Sequence, residues 1–241
     1  MSELLKSMNM EYRKIAAKRK SLIICYLTAA FVMGIAVLSL VIGKNLSLAL
    51  NIGQYYPVWI LSFMMKLLLP LFILMTVIDS TTGEFQDDTI SNTFQLPVDR
   101  YQIYLGKLSA NFLFAAKLMF IALGSGILGA ILVDGLSVLS ALHRILPLYC
   151  LALLALGLII AAAGMLSLFF RTSSLAMIIS ILIWTVLNTA GIFFGQLYEY
   201  LPSTVAAMYT QLTDFSRLLC LLSYYIIFTI LGILKFQIKE V

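Results

Sequence analysis

Four carboxylates fall within ten residues of the chain: Asp79, Glu84, Asp87 and Asp88. Clustered acid oxygens can hold a divalent cation. These lack the Asp/Asn–Gly spacing of a calcium loop, however, and a solvated acidic face accounts for them better. His143 is the single histidine and falls beside Arg144 in a short connection, which suits an interfacial polar residue. Ser125 has no recognisable base near it in sequence. There is no HExxH run and no pair of carboxylates deep in an apolar run, so neither an intramembrane serine protease nor a membrane metalloprotease is supported. Cys25, Cys150 and Cys220 sit far apart inside apolar runs, without metal-ligand spacing or a disulfide framework. The string GSGILG, with Gly124, Gly126 and Gly129, spells a dinucleotide fingerprint, but it lies inside an apolar run with no strand before it. Ala122, Gly126 and Ala130 are four apart and instead suit close helix packing, as do Gly191 and Gly195. None of this makes an enzyme. Two charges stand out differently: Lys66 and Lys117 each sit deep in an apolar run, where a lysine is costly and faces a cavity, a partner or, by snorkelling, the interface.

The elements that hold these residues follow from composition. The chain has 241 residues, is 62% hydrophobic and 11% charged, and has a mean hydropathy of +1.02. A soluble domain cannot hide that much apolar surface, so the class is all-α integral membrane. About 20 apolar residues span a bilayer, and six runs qualify: 21–43, 57–78, 108–133, 145–170, 173–195 and 216–236. With both ends cytoplasmic, the inside holds Lys6, Arg13, Lys14, Lys18, Arg19, Lys20, Arg100, Lys107, Arg171, Lys235 and Lys239. The outside holds only Lys44, Arg144 and Arg217. That bias sets the orientation. It also explains the net charge of +5 without a nucleic-acid partner, because the basic residues cluster at the ends of the apolar runs. The polar, basic N-terminus does not read as a cleavable signal.

Three polar stretches break the oil. Residues 3–18 put Leu4, Leu5, Met8, Tyr12, Ile15 and Ala16 on one helical face, and Lys6, Asn9, Arg13 and Lys14 on another, the pattern of a helix lying in the membrane interface. The segment from Gly83 to Gln102 is far longer than two spans need. On the outer side, residues 196–215 carry Tyr198, Tyr200, Tyr209 and Phe215, and their middle suits a short helix capped at Ser203. The expected division is an interfacial segment, 1–20, and a six-span domain, 21–241.

This order resembles the permease subunits of type-2 ABC exporters over nearly the whole chain. In that family the loop after span two carries a Glu, then usually Gly-Thr four and five residues later, then Leu-Pro, an Arg three residues after the Pro, and a Lys as the next span begins. The chain matches at Glu84, Thr89, Leu96, Pro97, Arg100 and Lys107, and departs at Asp88, where the family more often has Gly. The resemblance implies a coupling segment, 84–100, in which Glu84, Phe85, Asp87, Asp88, Thr89, Phe94, Leu96, Pro97 and Arg100 engage a separate ATPase. Without a P-loop the chain binds no cofactor itself, and ATP and Mg belong to two partner ATPase subunits. A second permease, identical or related, completes the assembly in a bacterial plasma membrane. Peptide, antimicrobial, drug or lipid-like cargo is implied, with Lys66 and Lys117 on its path. A membrane-embedded sensor or scaffold is the other class that fits.

Overall fold

The computed structural model describes residues 3–45, 55–90, 99–189 and 200–239, and these are helical with no strand among them. The described helices are α1 (Glu3–Ala17), α2 (Arg19–Asn45), α3 (Tyr56–Lys66), α4 (Leu68–Ser80), α5 (Thr82–Gln86), α6 (Arg100–Asp134), α7 (Val138–Ser167), α8 (Ser173–Thr189), α9 (Pro202–Ala207) and α10 (Phe215–Ile238). Among the described residues, four stretches are long and apolar enough to cross a membrane: Arg19–Val41, Leu68–Gln86, Arg100–Ser167 and Phe215–Ile238. The third is too long for one crossing. It folds back at Gly135, whose φ of 68° is open to glycine and ends α6. Leu108 and Tyr104 then lie against Gly164, Phe112 against Gly157, and Tyr149 against Gly126, so α6 and α7 run antiparallel.

Other contacts fix the remaining directions. Ala36 of α2 meets Gly129 and the Cys25 thiol feels Lys117, so α2 runs parallel to α6. Pro57 meets Gly126 while Ser80 meets Asn111, so α3 and α4 run antiparallel to it. Tyr104 meets Gly232 and Arg100 meets Gln237, so α10 is antiparallel too. Glycine permits these approaches: a Cβ on Gly129 would stand 2.8 Å from the Tyr56 ring.

The structure redraws three local expectations. The run 57–78 is not one helix but α3 and α4, parted at Leu67 with φ −134° and ψ −60°. Pro70 is the cause: it has no N–H for the Lys66 carbonyl, and its ring crowds that oxygen. His143 and Arg144 lie within α7 rather than in a loop, because a single turn, Gly135–Ser137, connects α6 to it. The outer helix α9 starts at Pro202, with Leu201 at its N-cap position. Ser203, Thr204, Val205 and Ala206 are buried, and α9 packs among α3, α7, α8 and α10. The adjoining Tyr209 hydroxyl sits 3.0 Å from Ser62 of α3.

Candidate functional site

One end of the bundle gathers α1, α5, the start of α6, the α7–α8 turn and the end of α10. Helix α1 lies there, on a face that shares Ile15 with the expected one but is rotated away from the rest of it. Its buried stripe is Ser7, Glu11 and Ile15, one residue every helical turn, whereas Leu5 is exposed. The stripe packs on α6 at Gly106, where any Cβ would collide with the Ser7 side chain. Protein, not lipid alone, selects this face.

At the centre Lys107 is fully buried. Its Nζ donates to Glu84 Oε2 at 2.6 Å, to Glu11 Oε2 at 2.9 Å and to the Ser80 carbonyl at 2.9 Å. Three acceptors match the three protons of an ammonium. Lys14 closes the ring, donating to Glu11 Oε1 at 2.7 Å and to Glu84 Oε1 at 3.4 Å. Burial alone would raise the Glu11 carboxyl, yet Lys107 and Lys14 outweigh it and hold the group below its ordinary 4.5. Burial likewise works against the Lys14 ammonium, and Glu11 and Glu84 hold it above its ordinary 10.5. Beside this ring Asp79 Oδ2 accepts from Lys18 at 2.7 Å and Oδ1 accepts from Lys20 at 3.1 Å.

The Glu11 shift gives docked α1 a pH signature. A carboxyl depressed on folding contributes its full stabilisation above the ordinary value and loses it as pH falls through the folded one. Backbone amides of 3–17 are therefore expected to keep their hydrogen-exchange protection at neutral pH and to lose it first, ahead of α6, once pH drops below 4.5. Protection that fades equally in both helices would contradict the assignment.

Helix α5 is bound to every element around it. The Thr81 hydroxyl donates to Ser167 Oγ at 2.7 Å, and that of Thr82 donates to the Ser167 carbonyl at 2.6 Å. Gln86 Oε1 accepts from both N and Oγ of Ser173, each at 2.8 Å. Phe85 meets Phe236 of α10 edge-on at 5.8 Å, with the Lys239 ammonium 4.4 Å over its ring. Displacing α5 therefore pulls on α1, α6, α7, α8 and α10 together.

The expected site residues divide accordingly. Glu84 and Phe85 turn into the protein, and Thr89 Oγ1 reaches back to the Glu84 carbonyl at 3.4 Å. Asp87 and Asp88 are exposed, and Arg100 donates to the Gln237 carbonyl at 3.1 Å. Gly126 sits against Pro57, where a Cβ would be 3.3 Å away. Phe94, Leu96, Pro97, Gly191 and Gly195 lie outside the described residues. Lys66 is exposed at the α3–α4 break, and Lys117 is half-buried facing α2. Neither takes part in an ion pair among the described residues. Sequence reading passed over Glu11, Gln86 and Ser167. Only Glu11 carried a signal, as the sole acid between Glu3 and Asp79.

Asp88 has φ 54°, the one positive value at a non-glycine among the described residues. Aspartate tolerates this left-handed geometry better than most residues, but glycine adopts it without steric cost. The turn thus needs glycine-like backbone, at the position where the resemblance to exporter permeases expects Gly. Asp88→Gly is expected to stabilise the turn by up to about 1 kcal/mol, read as slower proteolysis between α5 and α6. Faster cleavage would mean that the Asp88 side chain holds the turn.

A family match spans these residues. A model described as ABC-2 family transporter protein matches residues 7–188, which takes in Glu11, Glu84 and Lys107. The chain belongs to the ABC-2 transporter family. A search of curated proteins finds no significant match. As an ABC-2 membrane protein the chain is the permease component of a transporter, and the family works with ATP-binding-cassette subunits and as dimers. Its part is membrane transport, and such permeases are generally not catalytic themselves.

Proposed function

We propose that this ABC-2 permease crosses the membrane six times, as α2, α3 with α4, α6, α7, α8 and α10, with both termini cytoplasmic. It exports a peptide, antimicrobial, drug or lipid-like cargo, driven by two separate ATPase subunits and paired with a second permease. The directions of α2, α3 with α4, α6, α7 and α10 support the crossings, and the Lys/Arg bias supports the orientation. In this reading α5 and the chain that follows it, to residue 100, form the element that an ATPase pushes. The observation that carries it is the Glu11–Lys107–Glu84 ring, because it makes α5 one rigid piece with α1 and α6. Glu84 and Phe85 act as positioning residues inside that piece. Asp87, Asp88 and Phe94 form the face offered to the ATPase, with Phe94 as the aromatic anchor, the kind of group that dominates interface energy.

The test is co-purification with the ATPase and transport in proteoliposomes. Asp87→Lys with Phe94→Ala is expected to weaken association by roughly tenfold or more, as loss of one anchor does. Export should fall with it while the permease stays folded. Normal export by this variant would remove the segment from the docking surface. A wild-type chain that never stimulates hydrolysis in any ATPase would point instead to a sensor or scaffold.

A further inference from the structure

The end of the bundle that carries the ionic ring is electrically lopsided. On the α1 side, Glu11, Asp79 and Glu84 meet Lys14, Lys18, Lys20 and Lys107. Across α5, at the α7–α8 turn and the end of α10, Arg171, Lys235 and Lys239 gather with no ion pair among the described residues. Their placement is specific. Lys235 Nζ stands 5.1 Å over the Phe169 ring, and Lys239 donates to the Phe170 carbonyl at 3.0 Å while lying over Phe85. Phe169 is itself exposed, as are Ile230, Leu231, Leu234 and Ile238 of α10 and Leu175 and Ile178 of α8. Among the described residues, positive charge without an ion-pair partner thus crowns an exposed apolar wall. Burial and the charge of Lys235 lower Lys239 to about 8, so the ammonium stays charged near neutrality and gains from a nearby anion.

We infer that Arg171, Lys235 and Lys239 form a binding site for the phosphate headgroup of an anionic lipid, whose chains lie along α8 and α10. The arrangement has the two halves that such a molecule needs. Basic residues at helix ends attract anionic headgroups, and the exposed Ile and Leu below them accept hydrocarbon. The α6, α7 and α10 helices also enclose a laterally open cavity of about 400 Å³, lined by Leu105, Phe112, Leu154, Leu221 and Tyr225, which takes hydrocarbon and no charge. An acidic protein surface would meet the cations but leave the apolar wall unserved. The inference goes beyond the transport reading, which supplies only the leaflet, the cytoplasmic one.

The test titrates phosphatidylglycerol into the full-length chain in phosphatidylcholine nanodiscs and follows retained lipid by native mass spectrometry. Each surface cation contributes about 5-fold to anionic-lipid affinity, so R171Q/K235Q/K239Q is expected to lose on the order of 100-fold. K235R/K239R, which keeps the charge, should retain the lipid. So should K6Q/R13Q/R19Q, which removes three exposed cations from the α1–α2 side and controls for net charge and folding. Equal retention of phosphatidylglycerol and phosphatidylcholine would overturn the site, as would an unchanged R171Q/K235Q/K239Q variant. Displacement by millimolar inorganic phosphate would show a bare phosphate site and end the lipid assignment. Loss of ATPase binding in that variant with lipid retained would give the cations to the protein partner instead.

Discussion

Replacing Lys107 by methionine is expected to lower the melting temperature of the purified permease by about 10 °C. The side chain is 0% exposed and its ammonium serves two carboxylates, one of them on Glu11, which is 1% exposed. Removing one partner of a buried pair typically costs about 3–5 kcal/mol, because a charge is left in a poorly solvated site. In a chain of this size each kcal/mol shifts the midpoint by roughly 2–4 °C. The cost should be largely reversed in the Glu11→Gln, Lys107→Met double variant, where the stranded charge is neutralised and Glu84 keeps Lys14. Lost packing alone would instead leave the double variant as unstable as the single one. A second readout separates stability from coupling. With the ATPase present, the double variant is expected to hydrolyse ATP but export poorly, since α1 and α5 no longer move with α6. Full export by that folded variant would show that the ring holds the fold and passes no force.

Much of the architecture was legible in the sequence because length and apolarity of a run are local signals. The helices 100–134 and 138–167 contain most of the expected spans 108–133 and 145–170; each starts seven or eight residues earlier, and the second stops at Ser167, before Leu168, Phe169 and Phe170. The break at Leu67 was equally local, written in Pro70, but hydropathy averages over a proline that is itself set among leucines. The buried face of α1 was legible only in part. An apolar stripe facing lipid comprises Leu4, Leu5, Met8, Tyr12, Ile15 and Ala16, while the helix docks through a stripe that shares Ile15 with it but has a carboxylate at its centre. That choice depends on Lys107, 96 residues away in the chain. The motif logic did mark Glu84 and Lys107 one by one, but nothing local says that they meet. The resemblance also implied that Glu84 engages a separate ATPase, whereas its carboxylate is turned inward and only 12% exposed. Segment and role were readable; the direction of each side chain was not.

Export is expected to fail in the Lys66→Met, Lys117→Met double variant while ATP hydrolysis continues. Both residues lie in apolar spans, and insertion scales place a central lysine at about +2.5–3.5 kcal/mol, so keeping two needs a reason. Eleven residues of α3 precede the break at Leu67, which puts Lys66 roughly 15 Å from the outer end of its helix. Its side chain is exposed on the single chain, beside exposed Trp59, Phe63 and Leu67. Hydrocarbon is the worst neighbour for that ammonium, so a water-filled space against a second permease is the better one. The break helps by freeing the Lys66 carbonyl, which also prefers water to lipid. Lys117 is half-buried and acts on the Cys25 thiol of α2, so it reaches the same kind of space only if α2 borders it. The two positions should therefore differ. Lys66→Met alone is expected to cost most of the export, and Lys117→Met alone less. Methionine keeps the length of the side chain and removes its charge, so a lysine that merely snorkels would leave export unchanged and the protein slightly more stable. A cargo with an acidic group, such as a peptide carboxylate or a lipid phosphate, would lose its attraction at both sites, and a neutral cargo would not notice. Normal export of every cargo by the double variant would end the idea of a charged path.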